Sequence, residues 1–400
     1  MGELSSTERE AVERAAAEPM LDQVLSWSAI NSGSRNLDGL KAIARVLADE
    51  LAALPGEVSL REPEPVEAVD SAGKAIELPH GQNLHLRVRP EAPVQLLFTG
   101  HMDTVFAADH AFQETRWLDD ATLNGPGVAD MKGGIAVMLA ALKAVEPSGA
   151  DVGYEIVINS DEEVGSLGSA ALIVEAARGK RAALTYEPSA LPDGTLAGAR
   201  PGSGNFAITI HGRSAHAGRN PEDGRNAILA ASDLALRFEE MRKVGLSVNP
   251  SRIDGGSPTN VVPDLAVLRV NLRPATPELE GEAQHLVEQI IAAVAYERDV
   301  RIDISGGFAR PPKPMTGEME ALFGLVKRAG ADLGQSIGWQ PSGGVCDGNN
   351  IGACGVPVVD TMGVRGGKIH SMEEYLIVES LKERAALSAL TILRLAGGEQ

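Results

Sequence analysis

Positive charge is scarce in this chain: lysine and arginine number 36 against 55 aspartates and glutamates, a formal net charge of −19. So acidic a surface repels phosphodiester backbones and anionic lipid, which argues against nucleic acid or membrane as a partner. Cysteine is nearly missing. Cys346 and Cys354 are too few for a disulfide framework, so reduced thiols are expected. The segment Met1 to Met20 is Glu-rich and lacks the apolar core of a secretory signal, and no later stretch approaches the length of a membrane span. A cytoplasmic protein is the expectation. Neither cysteine lies in a recognisable catalytic motif, so chemistry by a cysteine nucleophile fits poorly.

What the chain does hold is organised around Leu97-Phe98-Thr99-Gly100-His101-Met102-Asp103-Thr104. Val94 to Phe98 is short, apolar and β-rich, and reads as a buried strand of a parallel sheet, with His101 at its carboxyl end. Open α/β sheets bind their ligands at that edge. In extended chain Asp103 faces the same way as His101, so its carboxylate can orient one ring nitrogen while the other holds a metal.

Two domains are expected from 400 residues. Ser5-Ser6-Thr7-Glu8 looks like a capping box opening a helix interrupted near Pro19, and a second helix runs from about Leu37 to Leu54. Pro- and Glu-rich sequence follows from Arg61 to Pro79, and His80 and, further on, His85 flank it without the carboxylate spacing of a site and read as surface or strand-face histidines. Gly125-Pro126-Gly127-Val128-Ala129-Asp130 imitates the start of a dinucleotide-binding turn. Asp130 stands where the third glycine belongs, and would repel a pyrophosphate. Placed just before a helix from about Gly133 to Val145, its two oxygens can instead serve cations.

The same pattern recurs along the chain. Tyr154 to Asn159 reads as a strand ending at Asp161-Glu162-Glu163, three acids that are unfavourable if buried without cations. Neighbouring side chains diverge, so one of Glu162 and Glu163 ligates and the other is left for a substrate. Ala182 to Tyr186 ends at Glu187-Pro188, where proline keeps Glu187 out of helical geometry. Val356 to Thr361 leads to His370.

Between residues 200 and 309 the order is β-α-β-β-α-β, provided Arg252-Ile253 forms a short strand, and that order is ferredoxin-like. The expected architecture is therefore α/β, a mostly parallel sheet with helices on both faces, formed by residues 1–199 and 310–400 and carrying an inserted α+β unit.

His101, Asp130, one of Glu162 and Glu163, Glu187 and His370 make a mixed nitrogen and oxygen donor set suited to zinc, less specifically to manganese or cobalt. Five protein ligands are too many for one catalytic zinc, yet suit two ions sharing a carboxylate. The remaining glutamate can then take a proton from water and pass it to a leaving amine, which is amide hydrolysis.

In sequence order, Gly100-His101-Met102-Asp103, Gly127-Val128-Ala129-Asp130-Met131-Lys132-Gly133-Gly134, Asp161-Glu162-Glu163-Val164-Gly165-Ser166, Glu187-Pro188 and His370-Ser371 resemble the motifs of the co-catalytic zinc peptidases and deacylases. That family contains bacterial glutamate carboxypeptidase, to which the motifs are most similar, and acetylornithine deacetylase, succinyl-diaminopimelate desuccinylase and aminoacylase. The resemblance implies two zinc ions bridged by Asp130, with His101 and Glu187 completing one site and Glu163 and His370 the other. It makes Glu162 the general base and Asp103 the partner of His101, and it implies a cis bond at Asp130-Met131. Gly212-Arg213-Ser214-Ala215-His216 resembles a lid motif whose histidine donates to the oxyanion, often across a dimer, which implies a homodimer through the inserted unit. By the same resemblance Asn260, Arg273 and Arg310 hold the carboxylate of an N-acyl amino acid or peptide, beside a Gly343-Gly344 loop and a structural Asp347. Cys346 departs from the threonine of that loop.

Glu rather than Asp at 187 resembles the carboxypeptidase and deacylase branch. A glutamate-releasing carboxypeptidase leads, with an N-acetyl or N-succinyl amino acid deacylase as the alternative. A non-catalytic binding member and a two-metal phosphoesterase are the readings of other classes.

Overall fold

The strand Val94–His101 is buried along most of its length, and its two faces serve different layers. Leu96 and Phe98 pack into the larger core with the helix Gly133–Val145, while Leu97 packs with Leu172 and Ile173 of the helix Ala170–Ala177. A strand covered on both faces needs an unbroken apolar run, and that is what the sequence carries. The computed structural model, which describes residues 4–399, places this strand within a six-stranded sheet. Across the sheet the order is Glu57–Arg61, Asn83–Val88, Val152–Asn159, Val94–His101, Ala182–Thr185 and Val358–Val359. The last four are parallel, and the first two add an antiparallel edge.

The helix Gly133–Val145 is buried on every side except at Lys143. It lies close to the sheet at Gly134, where a Cβ would collide with the Tyr186 carbonyl, so only glycine fits. At the amino end, the Ser6–Ala17 helix opens on the capping box expected: Glu8 N–H donates to Ser5 Oγ at 3.2 Å and Ser5 N–H to Glu8 Oε2 at 2.8 Å. Among the described residues no helix is long and apolar enough to cross a membrane.

A second sheet, antiparallel and four-stranded, takes the order Leu246–Gly255, Leu265–Pro274, Ser203–His211, Arg301–Arg310. With the helices Ala227–Glu240 and Pro277–Arg298 it builds a separate core on one face. The short strand expected at Arg252-Ile253 is longer, running from Leu246 to Gly255 with a register shift between Pro250 and Arg252. A shift of this kind breaks the polar and apolar alternation by which a strand shows in sequence. A hairpin of Glu67–Val69 and Ala75–Glu77 reaches from the first part of the chain to this sheet, where Arg269 Nη2 donates to the Val69 carbonyl at 2.7 Å.

The chain passes between the two sheets twice, and both crossings are tied to one carboxylate. Arg200 and Lys313 exchange backbone hydrogen bonds at 2.9 Å. Their side chains converge on Asp360, Arg200 Nε and Nη2 at 2.8 and 3.0 Å and Lys313 Nζ at 2.7 Å, all buried. Burial alone would raise the Asp360 pKa, but Arg200 and Lys313 hold it at about 2.

An Asp360→Asn variant leaves two buried cations without a counter-charge and should lose about 3–5 kcal/mol of stability at neutral pH. Because the folded carboxylate is depressed below its usual 3.8, its stabilisation is complete above about pH 5 and lost as pH falls from about 4 through 2. Denaturant unfolding at pH 7 and pH 2.5 should therefore show the gap between wild type and variant narrowing in acid.

Candidate metal centre and its cleft

Three of the four parallel strands deliver their chemistry at the same edge. His101 ends its strand, Asp161 to Glu163 follow Val152–Asn159, and Glu187 follows Ala182–Thr185. Asp130 sits just before the helix Gly133–Val145, with a cis bond between it and Met131. His101 Nε2 lies 3.1 Å from Asp130 Oδ1 and 3.7 Å from Glu187 Oε1. His370 Nε2 lies 3.2 Å from Asp130 Oδ2 and 3.0 Å from Glu163 Oε2. One carboxylate thus turns one oxygen to each imidazole. Two groups result, His101 with Asp130 and Glu187, and Asp130 with Glu163 and His370, each having its ligand atoms within 4.8 Å of one another.

The electrostatics of this edge are those of an acid surplus. Burial pushes Glu163 up to about 7, with the Asp130 charge adding to it, and raises Glu187 against the pull of His101. Hydrogen bonds to Asp130 and Glu163 lift His370 to about 11, and Glu187, Asp103 and Asp130 raise His101 well above its usual value although burial alone lowers it. The imidazoles are thus drawn into the part that divalent cations play in such a donor set. Glu163 Oε1 is buried with no hydrogen-bond partner, an orphan acceptor that a cation would satisfy. Carboxylates and imidazoles in this arrangement fit two borderline divalent ions.

Asp103 organises the loop as well as the ring. Its Oδ1 lies 3.3 Å from His101 Nδ1, its oxygens accept the backbone N–H of Glu162 at 3.1 Å and Glu163 at 3.2 Å, and Ser34 Oγ donates at 2.7 Å. Glu374 was missed in the sequence. Its Oε1 accepts the N–H groups of Ala129 and Asp130 at 3.0 and 3.1 Å and its Oε2 that of Gly127 at 3.2 Å, bracing the segment that carries Asp130. The only local signal was a Glu373-Glu374 pair shortly after His370.

Glu162 stays out of both groups. Its Oε1 accepts from Arg310 Nη2 at 2.7 Å, and burial raises its pKa well above the ordinary value despite that arginine. Together with Glu163, His370, Arg273, Arg310 and Gly344 it lines a cleft of about 940 Å3, whose other wall belongs to the second sheet. Arg310 has partners the sequence did not foretell: Asp347 at 2.9 Å, Asn350 at 3.2 Å and Ser166 at 3.0 Å besides Glu162. Its guanidinium is engaged by protein carboxylates rather than left open for a substrate's.

His216 and Asn260 are not brought to this cleft. They sit beside one another on the exposed surface of the second unit, with Ala217 N–H donating to the Asn260 carbonyl at 2.9 Å. His85 does stand on a strand, Asn83–Val88, but both His80 and His85 have the carboxylate company that the sequence did not show. His80 Nε2 is 4.0 Å from Asp161 and His85 Nε2 is 2.7 Å from Glu155, all with nearly buried side chains. Their carboxylates lie far off in sequence, Glu155 on the neighbouring strand, so local spacing could not reveal them.

Comparison with known proteins bears on this arrangement. The profile of peptidase family M20/M25/M40 matches residues 97–394. Carboxypeptidase G2 of Pseudomonas sp. (strain RS-16) is 29% identical over 381 residues, covering 92% of this chain and 88% of that protein. A succinyl-diaminopimelate desuccinylase of Maricaulis maris (strain MCS10) is 28% identical, covering 76% of this chain and 82% of its own length. Among solved structures, a tripeptidase from Staphylococcus aureus superposes with a TM-score of 0.72 at 25% identity, over 96% of this chain and 99% of that one.

If Glu374 braces the Asp130 segment, Glu374→Ala should weaken divalent-metal affinity by about 10–100-fold, the range for lost outer-sphere support. Competition with a chromophoric chelator would measure it. Unchanged affinity would show that the segment holds its shape unaided.

Proposed function

The chain belongs to peptidase family M20/M25/M40, and from that premise we propose that it hydrolyses the amide bond of an N-acyl or peptidyl amino acid and releases an amino acid with a free carboxylate. Carrying the reading is the single carboxylate of Asp130 between His101 and His370, with Glu162 beside it at the cleft. The leading form is a glutamate-releasing carboxypeptidase, in keeping with the similarity to carboxypeptidase G2. The second form, an N-acetyl or N-succinyl amino acid deacylase, is favoured by the desuccinylase relatives.

Two zinc ions, or cobalt or manganese, held by His101, Asp130, Glu187, Glu163 and His370 would polarise the scissile carbonyl and acidify a water. Glu162 takes the proton of the attacking water and delivers it to the leaving amine. Its burial, which raises its pKa well above the ordinary carboxylate value, suits a group that must accept a proton before releasing it. Arg310 fixes the position of that carboxylate through its 2.7 Å bond. Asp103 holds His101 in place and carries the backbone of both glutamates.

His216 Nδ1 accepts the N–H groups of Gly218 and Arg219, both at 3.1 Å, so its Nε2 carries the proton and is a donor. That suits stabilisation of an oxyanion, worth about 3–4 kcal/mol per donor. Lying away from its own chain's cleft, it serves the cleft of a second copy. Residues 200–309 accordingly form a lid and dimerisation domain, residues 1–199 and 310–400 the catalytic domain. A cytoplasmic setting accords with two free cysteines.

Glu162→Gln should retain both metals while lowering turnover by about 10²–10⁴-fold, a general-base loss; loss of metal as well would mean that Glu162 and Glu163 had been exchanged. Mixing Glu162→Gln with His216→Ala should restore up to about a quarter of wild-type activity, because half of the dimers are mixed and one of their two sites is whole. No restoration would place His216 outside a shared site. A panel of N-acyl glutamates, acetylornithine and succinyl-diaminopimelate separates the two forms, and turnover of acetylornithine without turnover of N-acyl glutamates would overturn the first.

A further inference from the structure

One wall of the cleft is a face of the four-stranded sheet on which asparagine recurs on three neighbouring strands. Asn271 pairs in register with Asn205 on one side and with Asn249 on the other, and all three line the cleft. On its far side Asn205 is in register with Gly307. A Cβ at Gly307 would meet nothing within 4 Å, so a groove lies open beside the Asn205 carboxamide.

The orientation of these amides is set from one end. Arginine can only donate. Arg273 Nε donates to Asn271 Oδ1 at 3.0 Å, which turns the Asn271 amide nitrogen the other way, toward Asn205 Oδ1 at 2.9 Å and Ser203 Oγ at 3.0 Å. The Asn205 oxygen is thereby occupied. Its NH2 has no partner among the described residues, and neither has Arg273 Nη2, while Arg273 Nη1 donates to the Gly343 carbonyl at 3.0 Å. What these two side chains have left to offer the cleft is chiefly N–H, with one lone pair of the Asn205 oxygen already taken by Asn271.

We infer that Asn205, oriented by Arg273 through Asn271, is a specificity-determining residue of the cleft, a donor to a carboxylate of the substrate whose carbon chain enters the groove at Gly307. The inference rests on the amide-hydrolase reading and narrows it to substrates that carry an anionic group within reach of Asn205 Nδ2 and Arg273 Nη2. A carboxylate gains charge-assisted bonds there, whereas its carboxamide isostere opposes NH2 to NH2 in one of its two orientations and has no charge in either.

Steady-state kinetics on N-benzoyl-L-glutamate and its two mono-amides, with the metal-loaded wild type, should show the diacid preferred in kcat/KM over one mono-amide by about 10–100-fold, as for a hydrogen bond to a charged group. Asn205→Asp, isosteric but anionic, should abolish that preference through KM with kcat little changed. Asn271→Asp leaves Asn205 in place but cannot donate to it, so the Asn205 amide must turn its oxygen outward, and the preference should fall in the same way. In an Asn205→Ala background Asn271→Asp should add nothing, since the two act in one chain of hydrogen bonds. A preference that survives both Asp variants, or none in an active wild type, overturns this inference alone. Failure to turn over any of the three compounds, with acetylornithine and succinyl-diaminopimelate equally untouched, overturns the hydrolase reading and this inference with it. Turnover of acetylornithine or succinyl-diaminopimelate but of none of the three overturns this inference alone.

Discussion

One shared carboxylate governs the molecule. Asp130 must offer an oxygen to each of two histidines that lie 269 residues apart in the chain, His101 at 3.1 Å and His370 at 3.2 Å. Burial works against its charge, yet the two imidazoles hold its pKa below the usual carboxylate range. Around it Glu163 and Glu187 are less well compensated and rise instead. A protein that gathers this many acids at one sheet edge gives up stability there, because buried like charges lack a hydrophobic substitute's neutrality. Divalent cations would resolve the conflict, so the residues that cost stability at this edge are also those that would set its affinity for them.

Holding that arrangement requires supports that do not themselves reach the shared centre. Asp103 joins the strand bearing His101 to the turn bearing Glu162 and Glu163 by two backbone hydrogen bonds. Glu374 does the same for the Asp130 segment from the opposite end of the chain. Arg310 and Asp347 form the third support, a buried pair at 2.9 Å whose arginine also fixes Glu162. Each support links segments far apart in sequence, so the site assembles only when the whole sheet does.

This explains which features were legible beforehand. The parallel strands could be read because burial on both faces demands apolar runs, and the two helices against the second sheet because their apolar residues recur with helical period. His101 and Glu187 could be located because each stands where such a run stops, and Asp130 because it stands just before a helix in the place of a dinucleotide turn's third glycine. Arg310, by contrast, looked like an arginine free for a substrate. Its pairing with Asp347 and Glu162 depends on the return of the chain from the second sheet, which no local pattern encodes. The Arg200, Lys313 and Asp360 cluster escaped notice for the same reason: two cations and an acid at unrelated positions become one buried unit only through topology.

That cluster also ties the metal edge to the second sheet. Arg200 Nη1 reaches the Gly344 carbonyl at 3.2 Å, so the residue that anchors a chain crossing also holds the loop lining the cleft. Arg273, on the second sheet, holds the neighbouring carbonyl of Gly343 at 3.0 Å. Adjacent carbonyls of one loop are thus gripped by arginines from two places, one buried against Asp360 and one free of any acid among the described residues. The buried arginine cannot move without exposing its counter-charge, whereas the other can change partners at small cost. A ligand carboxylate that draws Arg273 away from Gly343 would therefore act on the loop through one carbonyl while the other stays fixed, which would confine adjustment to that wall of the cleft and leave His101, Asp130 and Glu187 where the first sheet has set them.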